Sequence, residues 1–268
     1  MNHTQSTADG AAPASDAQVR QYWDDGVLVV RNLFSARDVA GWRDEVERLF
    51  SMAGMTDPLN LRVEARAHGA LGRIADRLDP VLDISAVFRQ LVHDRRLHAL
   101  LAAIFGAPAN ILRCKLIRKI TGTAGYAMHQ DYPYWEWLNV PADDLRTVAV
   151  AIDDVNEACG GIEYVLGQHD RRQAPHPLDA LDVDESGMDL SRNYLPMLKA
   201  GDVAIFHSLT PHRSAMNASG LSRALLLPTF SHQRHGSLYR RYHEGYIAKK
   251  LAHFRPDAGV LRTPLSAA

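Results

Sequence analysis

After Ala107 the chain settles into a succession of short apolar or alternating segments separated by turn residues: "NILRCKLIRKI", "TVAVAIDDV", "GIEYVLG", "DVAIFHSL" and "RALLLPTF". This succession restricts the fold more than any other feature. Short strands that follow one another through turns build a β-sandwich or barrel, whereas a parallel sheet needs a crossover helix between strands. The sequence holds no internal repeat and no phosphate-binding glycine loop.

The helical patterns lie upstream. Ser15 with Gln18 three residues later forms a capping-box pattern that opens a short helix through Trp23. "GVLVVRNLF" reads as a buried strand. Ser35 is the N-cap of a second helix, in which Val39, Trp42, Val46, Leu49 and Phe50 recur at helical spacing and so pack one face on a core. The stretch from Met52 to Asp83 carries no single period. A further helical region runs from about Ser85 to Phe105 and stops at Gly106, a residue suited to a left-handed cap. Residues 1–14 are small and polar and are expected to form a disordered tail, which leaves 15–268 as one domain, mainly β with flanking helices. A long acidic stretch, residues 176–198, interrupts the strands. Long segments inside a domain are usually functional or mobile, so residues 170–198 are expected to form a lid.

Composition removes several function classes. With 30 basic and 31 acidic residues the net charge is −1, and no overall field favours nucleic acid or an anionic membrane. Arg240, Arg241, Lys249 and Lys250 are too sparse to argue for nucleic acid. Two cysteines, Cys114 and Cys159, form no CxxC pair, which argues against a disulfide framework and for a reducing compartment. No apolar run reaches the ~18 residues of a membrane span. The N-terminus lacks the basic and apolar regions of a signal peptide, and the expected location is the cytoplasm.

One motif carries chemistry. "HQDYPYW", residues 129–135, sets His129 and Asp131 two apart. Residues two apart on a strand share a face, so an imidazole nitrogen and a carboxylate oxygen would meet one ion. A histidine from a distant strand would complete the 2-His-1-carboxylate set of non-haem Fe(II) oxygenases, which leaves the opposite positions open for substrate and dioxygen. Eight histidines lie downstream of Asp131, and His212 fits best. Gly201-Asp202 makes a turn, Val203 to Phe206 a strand, and His212 follows its end; eleven residues later Arg223 opens the next strand. If those strands are neighbours, Arg223 points into the same cavity, where its guanidinium offers a forked, permanently charged partner for a carboxylate. His207 is expected to be structural.

This ordered set resembles the phytanoyl-CoA dioxygenase family of Fe(II)/2-oxoglutarate-dependent oxygenases. The resemblance spans roughly residues 20–235 and includes "HQD" at 129–131, "DDVNEACGGIEYVLGQH" at 153–169 and "GDVAIFHSLTPHRSAMNASGLSR" at 201–223. The chain departs from it at Leu166-Gly167-Gln168-His169, where relatives often read Pro-Gly-Ser-His. The resemblance implies a double-stranded β-helix core, a jelly roll of cupin type. It implies that His129, Asp131 and His212 bind Fe(II), and that Arg223 holds the distal carboxylate of the co-substrate 2-oxoglutarate, assisted by Ser214. Family members also take a co-substrate contact from the strand before the His-x-Asp pair, where Lys115 occupies a matching position. The reaction implied is hydroxylation of an unactivated C–H bond of a small-molecule substrate, with dioxygen consumed and succinate and carbon dioxide released. Halogenating relatives replace the carboxylate that Asp131 supplies, so its presence favours hydroxylation, though desaturation and ring closure use the same triad.

Tyr132, Tyr134, Trp135 and Trp137 follow the motif directly. They are candidates for lining the substrate cavity or caging a cation, although aromatics equally fill cores. Pro133 breaks the alternation and leaves open which rings face the metal. Asp179, Asp182, Asp184, Glu185 and Asp189 in the expected lid suit a cationic substrate, or form a solvated face. The competing function is a jelly-roll metal-binding sensor or binding protein without oxygenase activity. A zinc-dependent cupin-type isomerase is another, and it would have no need of Arg223.

Overall fold

A computed structural model describes residues 14–52, 54–55 and 60–253. The tail expected over residues 1–14 lies outside these, apart from Ala14, which packs into the core. Helix α1 (Asp16–Asp25) starts at the Ser15–Gln18 capping box and ends at Gly26, with φ 76°. Strand β1 (Val27–Val30) follows, then α2 (Ala36–Ser51), opened by a second capping box of Ser35 and Asp38. Val39, Trp42, Val46, Leu49 and Phe50 of α2 are buried; full burial of an apolar side chain contributes about 1.5–3 kcal/mol.

The stretch without a clear period contains a hairpin, β2 (Val63–His68) and β3 (Gly72–Leu78). The one helical region expected from Ser85 to Phe105 is two helices, α3 (Ala86–Val92) and α4 (Arg95–Phe105). Asp94 starts the second, its carboxylate accepting from the Arg96 amide. Thereafter come β4 (Ala109–Lys119), β5 (Tyr126–His129), β6 (Leu145–Ala151), β7 (Ile162–Val165), β8 (Pro175–His176), β9 (Asp179–Val183) and β10 (Asn193–Tyr194). Strands β11 (Val203–His207), β12 (His212–Ser214) and β13 (Arg223–His232) and helix α5 (Tyr239–His253) complete the described residues.

The strands form two antiparallel sheets, a larger one ordered β1-β11-β6-β13-β4-β3-β2 and a smaller one ordered β10-β7-β12-β5-β9-β8. This is the expected double-stranded β-helix. Strand alternation decides what faces what. Val148 and Val150 of β6, Val203 and Ile205 of β11, and Ala224 and Leu226 of β13 join the helices in one core. Their neighbours Ala149, Ala151, Ala204, Phe206, Leu225 and Leu227 join Cys159 and Tyr164 in a second core between the sheets. On β4, Cys114 and Leu116 belong to the helical side and Ile117 to the inner side. Parity therefore turns Lys115, Lys119 and Arg223 toward the space between the sheets.

The acidic stretch is more ordered than an inserted loop. Strand β9 pairs with β5 opposite His129, and β10 pairs with β7, so it extends the smaller sheet at both edges. Glu185 forms an ion pair with Arg213, and Asp184 and Asp189 cap short turns by accepting from the Ser186 and Ser191 amides. Among the described residues no helix is long and apolar enough to cross a membrane.

Candidate active site

His129 ends β5 and His212 begins β12, and the register sets them directly opposite each other. Their ring centroids are 4.2 Å apart. Each Nδ1 faces a backbone carbonyl, Ala127 O at 2.8 Å and Thr210 O at 2.9 Å. A carbonyl only accepts, so both rings carry their proton on Nδ1 and present a bare Nε2. Asp131 reaches the same point, though not by strand alternation. Strand β5 stops at His129, and Asp131 opens a 3-10 turn over Tyr132–Tyr134 with helical backbone angles. One ligand atom from each of His129, Asp131 and His212 lies within 4.8 Å of the others. Between them, Gln130 turns away to the Arg171 and Leu209 carbonyls.

Asp131 Oδ2 accepts from Thr147 Oγ1 at 3.0 Å, and Thr147 meets Thr229 at 3.1 Å. Burial by itself would raise the Asp131 pKa, but Lys115, His212 and His129 outweigh it and hold the carboxyl at about 2. Burial, then His212, pushes His129 down to about 3, and burial lowers His212 as well. At neutral pH the group is one carboxylate and two neutral imidazoles. That donor set fits a ferrous ion.

Beside the triad, a narrow inner pocket is lined by His129, His212, Ser214, Arg223, Lys119 and Tyr126. Strands β12 and β13 lie in different sheets, so Arg223 reaches this pocket from across the sandwich and not from a neighbouring strand, as the sequence spacing suggests. In the β13–β4 register Arg223 stands directly opposite Lys119. Like charges so placed repel, and both side chains are buried. Their hydrogen-bond partners are neutral groups, and the buried Asp76 carboxylate is the acid that acts on both. Lys119 Nζ donates to Ser214 Oγ at 2.8 Å and Ala215 O at 2.7 Å, while Arg223 Nη2 donates to Gly160 O and its Nε finds no acceptor. Gly160 holds that carbonyl at φ 67°, where a Cβ would fall 2.3 Å from Ala215 O. Burial, then Arg223, lowers the Lys119 pKa to about 7. A buried cation pair with a spare N–H fits one end of a dicarboxylate such as 2-oxoglutarate.

Ser214 and Arg223 both line this pocket. Lys115 lines both this pocket and the outer cavity, while the contact with Ser214 belongs to Lys119. Sequence reasoning passed over Lys119. The two-residue steps from Lys115 through Ile117 put all three on one face, but only the register shows which faces the guanidinium.

The outer cavity, of about 650 Å³, opens on His129 and Asp131. Tyr134 lines it, 40% exposed and edge-on to His129 at 6.2 Å. Trp137 lines it too. Trp135, expected there, is 1% exposed and packs with Leu112, Leu138, Val140 and Leu145, and Tyr132 leans on the same cluster. A 3-10 turn rotates successive residues by roughly 120°, so Tyr132, Tyr134 and Trp135 do not all face one way.

A jelly roll that gathers two imidazoles and a carboxylate has the architecture of a mononuclear non-haem iron oxygenase. Residues 22–225 match the model of the phytanoyl-CoA dioxygenase family, and the chain belongs to that family. It is an Fe(II)/2-oxoglutarate-dependent dioxygenase. A methylphosphonate hydroxylase from Gimesia maris is 25% identical over 236 residues, covering 85% of each chain. An ectoine dioxygenase from Bordetella parapertussis is 29% identical over 227 residues, 77% of this chain and 72% of that one. The crystal structure of EctD from S. alaskensis with 2-oxoglutarate and 5-hydroxyectoine has a TM-score of 0.69 at 20% identity, over 87% of this chain and 80% of that one. At that identity the match speaks for the fold.

Proposed function

We propose that this chain, acting as a single domain over residues 15–268, hydroxylates an unactivated C–H bond of a small metabolite. In the overall balance the substrate, dioxygen and 2-oxoglutarate become the alcohol, succinate and carbon dioxide. The observation that carries this reading is that His129 and His212, two of the three candidate metal ligands, line one pocket with the buried Arg223–Lys119 pair. Relatives that act on methylphosphonate and ectoine support a small metabolite as substrate.

In this reading His129 and His212, through Nε2, and Asp131 hold the iron. Arg223 and Lys119 bind the distal carboxylate of 2-oxoglutarate, and Ser214 fixes the Lys119 ammonium. Iron and 2-oxoglutarate together supply a dioxygen-derived oxidant able to take hydrogen from carbon. The protein's own contribution is positional and electrostatic. The carbonyls of Ala127 and Thr210 lock both imidazoles in the tautomer that leaves Nε2 bare, a support that metal-ligating histidines need. Thr147 fixes the Asp131 carboxylate from behind. Two cations on adjacent strands set the direction of the dicarboxylate as well as its affinity. Ile117, Ile162, Phe206, Leu225 and Leu227 line the rest of the inner pocket, keep it dry, and so strengthen those charge contacts. The metabolite enters from the outer cavity, where residues 170–198 contribute Asp179 and Asp182 to the wall in the manner of a lid. The two free, buried cysteines support a reducing compartment, the cytoplasm.

Protein purified without oxygen should bind ferrous ion, and with it 2-oxoglutarate. Admission of air should then give slow succinate formation even without substrate. Arg223→Ala should abolish 2-oxoglutarate binding and leave iron binding intact. Absence of iron binding together with absence of succinate overturns the reading, and 2-oxoglutarate binding indifferent to Arg223 favours the sensor.

A further inference from the structure

The outer cavity sorts its charges by wall. Strands β2, β3 and β4 with helix α5 supply Arg66, Arg77, Arg113, Lys115, Lys249 and Lys250, whereas β9 of the smaller sheet supplies Asp179 and Asp182. Most of the cations are already answered. Arg77 and Lys250 share Glu64, and Arg113 pairs with Asp79. Arg66 stacks 3.6 Å over the Tyr126 ring and Lys249 4.7 Å over Trp137. Lys115 stands apart: it lines the cavity, and among the described residues it makes no hydrogen bond or ion pair. The charge that acts on it most, Asp131, is itself a candidate iron ligand.

The facing wall has the opposite surplus. Asp179 accepts from the Leu181 amide at 3.0 Å, and neither it nor Asp182 has a cation partner among the described residues. Asp182 stands opposite His129 in the β5–β9 register, and Tyr134 lines the cavity edge-on to His129. A ligand of one sign would desolvate the opposite wall and leave its charge unpaired, which is costly. A purely anionic ligand would do that to Asp182, and a purely cationic one to Lys115.

Building on the hydroxylase reading, we propose that the substrate is a zwitterion. Its acid group lies against Lys115, and its protonated amine faces Asp182 and Asp179 beside the Tyr134 ring, whose face attracts a cation. Facing sheets stand ~10 Å apart, so the two charged ends are separated by several bonds. The C–H bond to be hydroxylated lies between them, over His129 and Asp131.

The test uses enzyme loaded with ferrous ion and 2-oxoglutarate under anaerobic conditions, after 2-oxoglutarate binding itself has been measured. Calorimetric titration compares ω-amino acids of four to eight carbons with the matching fatty acids and alkylamines. The tightest ω-amino acid should bind at least about tenfold better than its acid and its amine, a difference of 1.4 kcal/mol. Asp182→Asn should erase the advantage over the fatty acid, and Lys115→Met the advantage over the alkylamine, each in protein that still binds 2-oxoglutarate. A fatty acid or alkylamine binding as tightly as the ω-amino acid overturns the proposal, as does failure of the whole series on enzyme that binds 2-oxoglutarate. Failure to bind 2-oxoglutarate at all would count instead against the hydroxylase reading.

Discussion

The two cavities that meet at His129 treat charge in opposite ways. In the inner pocket two buried cations face each other, hydrogen-bonded to neutral groups, with the buried Asp76 carboxylate as the acid that acts on both. In the outer cavity nearly every arginine and lysine is paired with an acid or stacked on a ring. Two buried cations against one carboxylate keep a surplus positive charge, which specifies an anion as ligand. A cavity balanced in advance specifies little beyond the groups left over. The inner pocket therefore selects for an anionic group, whereas the outer cavity selects only for a charge pattern.

Breaking the junction between the cavities should have the largest effect. His212→Ala should abolish succinate formation. It should weaken ferrous binding by more than the roughly 10–100-fold that loss of a supporting group causes, as read by metal content and anaerobic titration. Next comes the wall that neither cavity uses directly. Trp135→Ala should destabilise the fold by about 3–5 kcal/mol in denaturant unfolding, with the 2-oxoglutarate affinity of the folded protein preserved. A Trp135 that lined the substrate cavity would give the reverse, nearly unchanged stability and altered substrate binding. Thr147→Val removes the hydrogen bond behind Asp131 and should lower metal affinity roughly 10–100-fold, again by anaerobic titration. The smallest effect sharpens the inner pocket. Lys119 is held near 7 when the pocket is empty, by burial and then by Arg223, and must be protonated to pair with a carboxylate. Affinity for 2-oxoglutarate should therefore fall as pH rises through about 7, by up to about tenfold per pH unit. Lys119→Met should bind weakly with a flat profile.

The candidate metal ligands are legible in the sequence because the motif is short and its order along the chain survives folding. The parts the sequence hid depend on register. Arg223 seems, by spacing, to belong beside His212, yet it arrives from the other sheet, since the turn before β13 crosses the sandwich. Lys119 and Lys115 share a face and a residue type, and only pairing with β13 separates their surroundings. Trp135 was misplaced because the chain leaves β5 for a 3-10 turn at Asp131, where a two-residue period no longer applies. The β2–β3 hairpin lacks the continuous apolar runs of the central strands: Val63, Ala65 and Ala67 alternate with Glu64, Arg66 and His68, and the strands are half-buried at the sheet's end. The acidic stretch read as one long loop because its strands are short and polar, and they are ordered by pairing with β5 and β7.

Anomalous diffraction at the manganese edge, from crystals grown with manganese and 2-oxoglutarate, addresses the whole arrangement at once. The expected map has a single peak bonded to Nε2 of His129, Nε2 of His212 and a carboxylate oxygen of Asp131, with the far carboxylate of 2-oxoglutarate clasped between Arg223 and Lys119. A peak elsewhere, or a far carboxylate that ignores those two cations, would contradict the account.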